Sequence, residues 1–290
     1  MPLDFNQLET FLHVIDTGSF SGAAIRIGLT QPAVSLQIRT LEKYLGVRLV
    51  ERVGKRAMPS AAGQELARYA QRLQAEVRSA EAHMKRYAGK QLGRVRIGTG
   101  STASIHLLPQ VLRRIRNTAP EIEISVITGD SASMADALSE NLIDLALINL
   151  PRQRRGLVVE RTLADPLVGV VPRSAGDVPP ALTPGDFKRL PLILYERGGA
   201  MRRVIDDWFL SAHVTVQPSM ELGDVEGAKR FVSAGLGWSI LPSIAVSNKD
   251  PDILTRPLRP GLRRSLAVML RQDKVRDHAI RSALRAFASL

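Results

Sequence analysis

The stretch from Gln31 to Leu45 combines helical periodicity with a distinctive choice of polar side chains. At about 100° per residue, one face is apolar and must pack in a core: Val34, Ile38, Leu41 and Leu45. The opposite face carries two cations, short or apolar side chains and no acid: Pro32, Ser35, Leu36, Arg39 and Lys43. A solvated face would normally include Glu and Asp. We therefore expect this outer face to lie against a negatively charged partner.

Catalytic and metal-binding patterns are absent from the sequence. The histidines are scattered without a spacing such as H-E-x-x-H: His13, His83, His106, His213 and His278. "GTGSTA" begins like a dinucleotide-binding loop, but Ala103 stands where the last glycine is needed. No G-x-S-x-G elbow precedes a helix, and the chain has no cysteine. We expect a protein that is not an enzyme and has no cofactor or metal.

The bulk composition favours a polyanionic partner. The 290 residues contain 40 Lys and Arg against 28 Asp and Glu, which gives a net charge of +12. Such an excess suits phosphate binding, with solubility as the alternative explanation, and the second half of the chain is basic too. No run reaches the roughly 18 apolar residues needed to span a bilayer, and no signal peptide is recognisable. A soluble cytoplasmic protein without membrane association is expected.

The N-terminal residues predict a helix-turn-helix. A first helix has an apolar stripe that ends at Ile15, and Ser19 or Ser21 can cap a second helix that ends at Gly28. Thr30 can cap the third helix, with Pro32 in its first turn. Two short helices joined by a tight turn, the second with a basic outer face, make a helix-turn-helix. The alternative is a small helical bundle with a chance basic face.

The next two segments predict a wing and a long rod. "VRLVERVGKRAMPS" alternates around Gly54 like a two-stranded hairpin, whose tip residues Arg52, Lys55 and Arg56 could reach phosphates or remain solvated charges. Apolar residues then follow a heptad pattern: Leu66, Ala70, Leu73, Val77, Ala80, Met84 and Tyr87. A helix of that length spans roughly 40 Å. We predict a dimerising linker helix, with intramolecular packing as the alternative.

Beyond a boundary near residues 89–93, strands and helices alternate as in an α/β fold with a mostly parallel sheet. Strand clusters before and after about Asp165 predict two lobes with a cleft between them. The expected domains are 1–60, a winged helix-turn-helix; 61–90, the linker helix; and 91–290, the two-lobed part. Its first lobe comprises about 91–164 and 266–290, and its second lobe about 165–265.

Ligands of open α/β lobes sit beyond the carboxyl ends of strands, near helix N-termini. The predicted ligand residues occupy such positions, where hydroxyl and backbone N–H groups can cradle a carboxylate: Gly100, Ser101, Thr102, Thr128, Ser131, Asn149, Gly199 and Arg202. Ser101 and Ser131 could instead be plain helix caps, and Arg202 a surface charge. Their convergence on one cleft predicts binding of a small anion.

Most of the chain resembles one family. "GSFSGAAIRIGLTQPAVSLQIRTLEKYLGVRLVER" is similar to the N-terminal signature of LysR-type transcriptional regulators. "IHLLPQVLRRIRNTAPEIEISVITGDSASMADALSENLIDLALIN" and "ELGDVEGAKRFVSAGLGWSILP" resemble that family's effector domain. The resemblance implies an N-terminal all-α winged helix-turn-helix, a long linker helix, and a C-terminal two-lobed α/β domain similar to periplasmic binding proteins.

The resemblance also implies partners. Family members usually pair through linker helices, often as dimers of dimers, on interrupted palindromes of double-stranded DNA, and bind small, often anionic metabolites. We therefore expect a homodimer and a homotetramer, with RNA polymerase as a candidate partner. The remaining alternatives are a solute-binding protein, or an α/β enzyme that uses the same cleft.

Matching positions suggest roles in DNA binding. Gln31, Pro32 and Ser35 match recognition-helix residues that commonly approach bases, while Thr30, Arg39 and Arg52 would position the phosphates. The full predicted set adds further exposed side chains: Ser21, Leu36, Lys43, Lys55 and Arg56. The sequence departs from the family pattern at three positions: Val50 replaces a usual Phe, Pro59 a common Leu, and Leu36 a frequent Arg. The first two put the wing geometry in doubt, and the third removes a polar contact.

Overall fold

The computed structural model describes residues 3–54, 56–87, 93–150, 154–188, 190–246, 250–288 and 290, without the side chains of residues 79, 82, 83 and 85–87. Two compact units make up the chain, Met1–Gly89 and Lys90–Leu290. No helix of the described residues has the length and apolar content to cross a membrane.

The first unit contains the predicted helix-turn-helix, wing and long helix. Its elements are α1 (Phe5–Thr17), α2 (Phe20–Ile27), α3 (Gln31–Leu45), β1 (Val50–Val53), β2 (Arg56–Pro59) and α4 (Ala61–Tyr87). The two strands pair antiparallel, with Val53 opposite Arg56. The prediction of an all-α winged helix-turn-helix followed by a linker helix is confirmed.

Side-chain caps and a glycine turn fix where α2 and α3 begin and end. The Ser19 hydroxyl accepts a hydrogen bond from the Gly22 N–H at 3.2 Å, so Ser19 caps α2 and the exposed Ser21 does not. Gly28 ends α2 with φ of +69°, a left-handed conformation that residues with a Cβ adopt at a cost. Thr30 then caps α3, accepting from the Ala33 N–H at 3.4 Å.

The core of this unit lies between the three helices, the wing and the start of α4. Phe11, Val14, Val34 and Leu41 are fully buried in it. Burial of each such side chain contributes about 2 kcal/mol from the hydrophobic effect. Leu45, expected in the same stripe, is instead exposed in the last turn of α3, because the chain turns away at Gly46.

The heptad pattern on α4 divides into two parts. Ala70 is buried and Leu66 is partly buried against the core of its own unit, and a place for Leu66 in a dimer seam stays a prediction. Leu73, Val77 and Met84 are 45%, 40% and 60% exposed. The Tyr87 side chain lies outside the described residues. An apolar stripe about 16 Å long, from Leu73 to Met84, therefore faces away from the unit's own core.

The second unit is an α/β domain. Its elements are β3 (Arg94–Thr99), α5 (Ser101–His106), α6 (Leu108–Thr118), β4 (Glu123–Thr128), α7 (Ser131–Ser139), β5 (Leu145–Asn149), β6 (Leu157–Pro172), β7 (Leu192–Tyr195), α8 (Ala200–Ser211), β8 (Met220–Leu222), α9 (Val225–Ser233), β9 (Trp238–Pro242), β10 (Ile253–Arg271) and α10 (His278–Phe287).

One continuous sheet joins two lobes, in the order β4-β3-β5-β10-β6-β9-β7-β8. The expected two-lobed α/β fold is confirmed, and the sheet, which we expected to be mostly parallel, is mixed. Four strand pairings are parallel and three are antiparallel. The long strands β6 and β10 pair antiparallel along almost their whole length and belong to both lobes. Separate hydrophobic cores lie around β3, β5 and α10, and around β7, β9 and α8.

Residues 101–118 form two separate helices. α5 begins at Ser101, and the chain breaks at Leu107 before α6 begins at Leu108. Pro109 lies in the first turn of α6, where its missing N–H has no helical partner to lose. The break leaves α5 as a short helix directly after β3.

Candidate nucleic-acid interface and ligand site

The outer face of α3 is open to solvent as predicted. Pro32, Leu36, Arg39 and Lys43 are exposed on it, and Ser35 is half-buried. Among the described residues, no carboxylate pairs with either Arg39 or Lys43. This face therefore carries two positive charges that no described acid neutralises.

The only acidic residue of α3 is turned away from this face. The carboxylate of Glu42 accepts hydrogen bonds from the backbone N–H groups of Leu49 and Val50, at 2.8 and 3.2 Å. Hydrogen bonds to a charged acceptor are worth about 1.5–3 kcal/mol each. Glu42 thus fixes the start of the wing relative to α3 and leaves the outer face positive.

Two of the predicted base-contacting residues touch each other. The side-chain amide of Gln31 donates to the Ser35 hydroxyl at 2.8 Å, one helical turn along α3. On the opposite side of the helix, the Thr10 hydroxyl donates to the Gln37 side-chain oxygen at 2.5 Å, which ties α3 to α1. The polar side chains at the start of α3 are thus oriented before any partner binds.

The wing places further cations on the same unit. Arg52 and Arg56 are exposed on β1 and β2. The wing is anchored where the Ala57 N–H donates to the Gly18 carbonyl at 2.8 Å. Ser21 is exposed on α2, and Lys55 lies outside the described residues. Val50 is partly buried against the core, in the position where the family usually has Phe.

In the second unit, three predicted ligand positions lie at one edge of the sheet. β4, β3 and β5 are parallel neighbours, so their carboxyl ends meet there. Thr128 is opposite Thr99 at the end of β3, directly before Gly100. Asn149 ends β5. The expectation that the polar residues after these strands converge agrees with this topology.

The helices that follow these strands differ at their N-termini. The Asp130 carboxylate accepts from the N–H groups of Ala132 and Ser133 and caps α7. The Ser133 N–H, with its hydroxyl, is the main reason that the pKa of Asp130 is below its ordinary value. Among the described residues, no side chain caps α5 after Gly100. The first turn of α5, with exposed Ser101 and buried Thr102, has N–H donors to offer.

Ser131 is engaged by a neighbouring strand. Its hydroxyl accepts hydrogen bonds from both the backbone N–H and the side-chain amide of Asn149, at 3.3 and 3.2 Å. The side-chain oxygen of Asn149 is buried and has no hydrogen-bond partner among the described residues. The alternative that Ser131 caps its helix is wrong, because Asp130 does so.

In the second lobe, Gly199 and Arg202 have different surroundings. α8 begins after the exposed Gly199, and no described side chain caps it. Arg202 is buried, and its guanidinium donates to Asp206, Glu221 and the Tyr195 carbonyl at 2.7–2.8 Å. The expectation of a ligand contact by Arg202 is corrected, because these acceptors inside its own lobe engage the guanidinium. The surface-charge alternative is wrong as well.

Contacts between the lobes involve residues that sequence reasoning missed. His106, at the end of α5, lies 2.9 Å from the carboxylate of Glu226 on α9. Lys229 contacts the other oxygen of Glu226 at 2.7 Å. Partial burial raises the pKa of Glu226, but hydrogen bonds from Lys229 and His106 outweigh burial and leave it below its ordinary value. No sequence motif marks this pair, because the two residues are 120 positions apart.

Comparisons with known proteins agree with this architecture. Residues 5–64 match the family "Bacterial regulatory helix-turn-helix protein, lysR family", and residues 88–289 match "LysR substrate binding domain". The probable HTH-type transcriptional regulator LrrA of Synechococcus elongatus is 30% identical over 268 residues, 92% of this chain and 90% of that protein. The uncharacterized regulator YeiE of Escherichia coli is 33% identical over 83% of this chain and 81% of its own.

Solved structures have the same fold. The crystal structure of CbnR, a LysR family transcriptional regulator, superposes with a TM-score of 0.78 at 21% identity and covers 99% of both chains. Full-length CbnR complexed with its target DNA gives a TM-score of 0.77 at 23% identity, again over 99% of both chains. The chain belongs to the LysR family and is a DNA-binding transcriptional regulator.

Proposed function

We propose that this protein binds an interrupted palindromic operator as a homodimer and responds to a small anionic metabolite held in the C-terminal unit. The observation that carries the proposal is the outer face of α3, where Arg39 and Lys43 are exposed and Glu42 is turned toward the wing. Such a face can enter the major groove, with Gln31 and Ser35 at base edges and Arg39 and Arg52 at phosphates.

The exposed apolar stripe on α4 supports binding to a palindromic operator as a dimer. The stripe of Leu73, Val77 and Met84 is apolar and exposed, at the spacing of a coiled-coil seam. Two copies joined along this stripe would present two recognition helices to successive major grooves, and two such dimers would form a tetramer on longer sites.

The uncapped starts of α5 and α8 support an anionic ligand. At the start of α7, backbone N–H groups already donate to the Asp130 carboxylate. The start of α5, at Gly100, Ser101 and Thr102, is therefore the better place for an anion. Gly199 offers a similar helix start in the other lobe. Since α5 also carries His106 on the contact with Glu226, ligand binding at its first turn would alter how the lobes are held together.

Two experiments test the proposal. Selection from random-sequence duplexes should give a two-fold symmetric site that outcompetes calf-thymus DNA, with half-sites about one helical turn or a multiple apart. Native mass spectrometry of protein purified from its own cells should reveal a bound small molecule, and a thermal-shift screen of metabolites should then identify carboxylates or phosphates. Failure to select any sequence would reject the operator, and stabilisation by uncharged compounds alone would reject the anion.

A further inference from the structure

Leu36 lies on the outer face of α3, which the proposed function turns toward DNA. Its side chain is 65% exposed. At about 100° per residue, it shares an arc of about 60° with Pro32, Arg39 and Lys43. Single exposed leucines are common on protein surfaces and need no explanation. Leu36, however, lies on the face of α3 that the proposed function places in the major groove.

Leu36 and Pro32 form an apolar patch on this face. Pro32 is also exposed and lies one turn before Leu36 on the same face. The polar groups nearby are partly occupied, because Gln31 is hydrogen-bonded to Ser35 at 2.8 Å. The Thr40 hydroxyl, one turn after Leu36, donates to the Leu36 carbonyl at 2.9 Å. Cations flank this apolar pair without covering it.

The major groove offers one apolar group on its base edges, the C5-methyl of thymine. We infer that Leu36, supported by Pro32, is a specificity residue that contacts a thymine methyl in each half-site. This inference rests on the proposed function, since it requires α3 to enter the major groove. Arg39 and Lys43, on the same arc, would contact the phosphates beside that base.

The inference predicts a thymine whose methyl group matters. One methyl in apolar contact is worth about fourfold in affinity. Replacing that thymine by deoxyuridine removes only the methyl and leaves every hydrogen-bonding group in place. Replacing Leu36 by Ala should weaken binding about tenfold and remove the sensitivity to deoxyuridine, because the partner of the methyl is gone.

The experiment scans a selected operator with one deoxyuridine at a time and measures Kd for the full-length wild type, Leu36→Ala and Leu210→Ala. Leu210 is a matched control, since it is an equally exposed leucine on α8 in the other unit. Wild type and Leu210→Ala should lose about fourfold at the same thymine of each half-site, while Leu36→Ala should bind weakly and equally to all duplexes. Circular dichroism spectra should match for the three proteins.

Three outcomes overturn the inference. If the wild type binds equally well with deoxyuridine at every thymine, it contacts no thymine methyl. A selected half-site that contains no thymine leads to the same conclusion. Leu36→Ala that keeps the wild-type deoxyuridine profile assigns the methyl contact to another residue. All three leave operator binding itself intact. Absence of any selected sequence rejects the proposed function and the inference together.

Discussion

The carboxylate of Glu42 accepts the backbone N–H of Leu49 at 2.8 Å, across the junction between α3 and the wing. One side chain thereby does two things for the DNA-binding unit. It fixes the first strand of the wing, and it removes the only negative charge of α3 from the outer face. An acid three residues from Arg39 and next to Lys43 would otherwise weaken the attraction of this face for phosphate.

Replacing Glu42 by Ala should destabilise the first unit by about 3 kcal/mol or more, because two N–H groups each lose a hydrogen bond to a charged acceptor. DNA affinity should fall as well, since the wing is no longer held. Glu51→Ala is the control: Glu51 is exposed on β1, and its removal changes the net charge equally. Urea unfolding and DNA titration measure both effects. Equal affinities for the two variants would contradict the role given to Glu42.

Replacing Val77 by Glu should dissociate the dimer, because two carboxylates would face each other in the apolar seam of α4. Gln71→Glu introduces the same charge at an exposed position outside the seam pattern and should leave the dimer unchanged. Light scattering after size-exclusion chromatography gives the mass of each variant. If Val77→Glu remains dimeric, α4 is not the pairing surface.

Replacing Ser101 by Ala should weaken the response to the ligand and leave DNA binding unchanged, because Ser101 belongs to the second unit and has an exposed hydroxyl at the start of α5. The measurement is the thermal shift produced by a compound selected in the metabolite screen, beside operator affinity without it. Ser174→Ala, at an exposed position elsewhere in the same unit, is the control. Equal thermal shifts for both variants would show that the ligand does not bind at the start of α5.

The pair of Glu226 with His106 and Lys229 predicts a pH dependence of stability. Since the pKa of Glu226 is below its ordinary value of 4.5 in the folded chain, the ionised carboxylate stabilises the fold at higher pH. That stabilisation is lost as the pH falls below about 4.5 and through the lowered pKa. Unfolding temperatures measured from pH 6 to about pH 3 should therefore fall less steeply for Glu226→Gln than for wild type.

Glu121→Gln provides the comparison for this pH series, because Glu121 is exposed in the turn before β4. Its profile should follow that of wild type. Should Glu226→Gln follow wild type too, the contact between the lobes contributes nothing to stability.

Local patterns predicted the DNA-binding unit well because its signals are local. The cap at Thr30 and the apolar stripe from Val34 to Leu41 belong to one helix, and the structure has α3 at Gln31–Leu45. The turn at Gly54 similarly marked the wing. The role of Glu42 escaped prediction because the N–H groups that donate to its carboxylate lie beyond α3, at Leu49 and Val50. Helical periodicity does not indicate which way a long polar side chain turns.

The length of the two long strands and the partners of Arg202 depend on tertiary contacts, which local sequence patterns do not show. No local pattern in the sequence indicates the length of β6 and β10, which run for 16 and 19 residues because they pair with each other across both lobes. A register shift between Pro257 and Leu262 accommodates the irregular stretch. Arg202 looked like a surface or ligand cation because its acceptors, Glu221 and the Tyr195 carbonyl, come together only in the folded lobe.

The central claim, that the outer face of α3 reads DNA, is tested most directly by footprinting a selected operator with wild type and the Gln31→Ala/Ser35→Ala double variant. The variant should remain dimeric and keep weak, salt-sensitive binding through Arg39 and the wing, but lose its preference for the operator over calf-thymus DNA. A double variant that protects the operator with wild-type affinity and boundaries would contradict the claim.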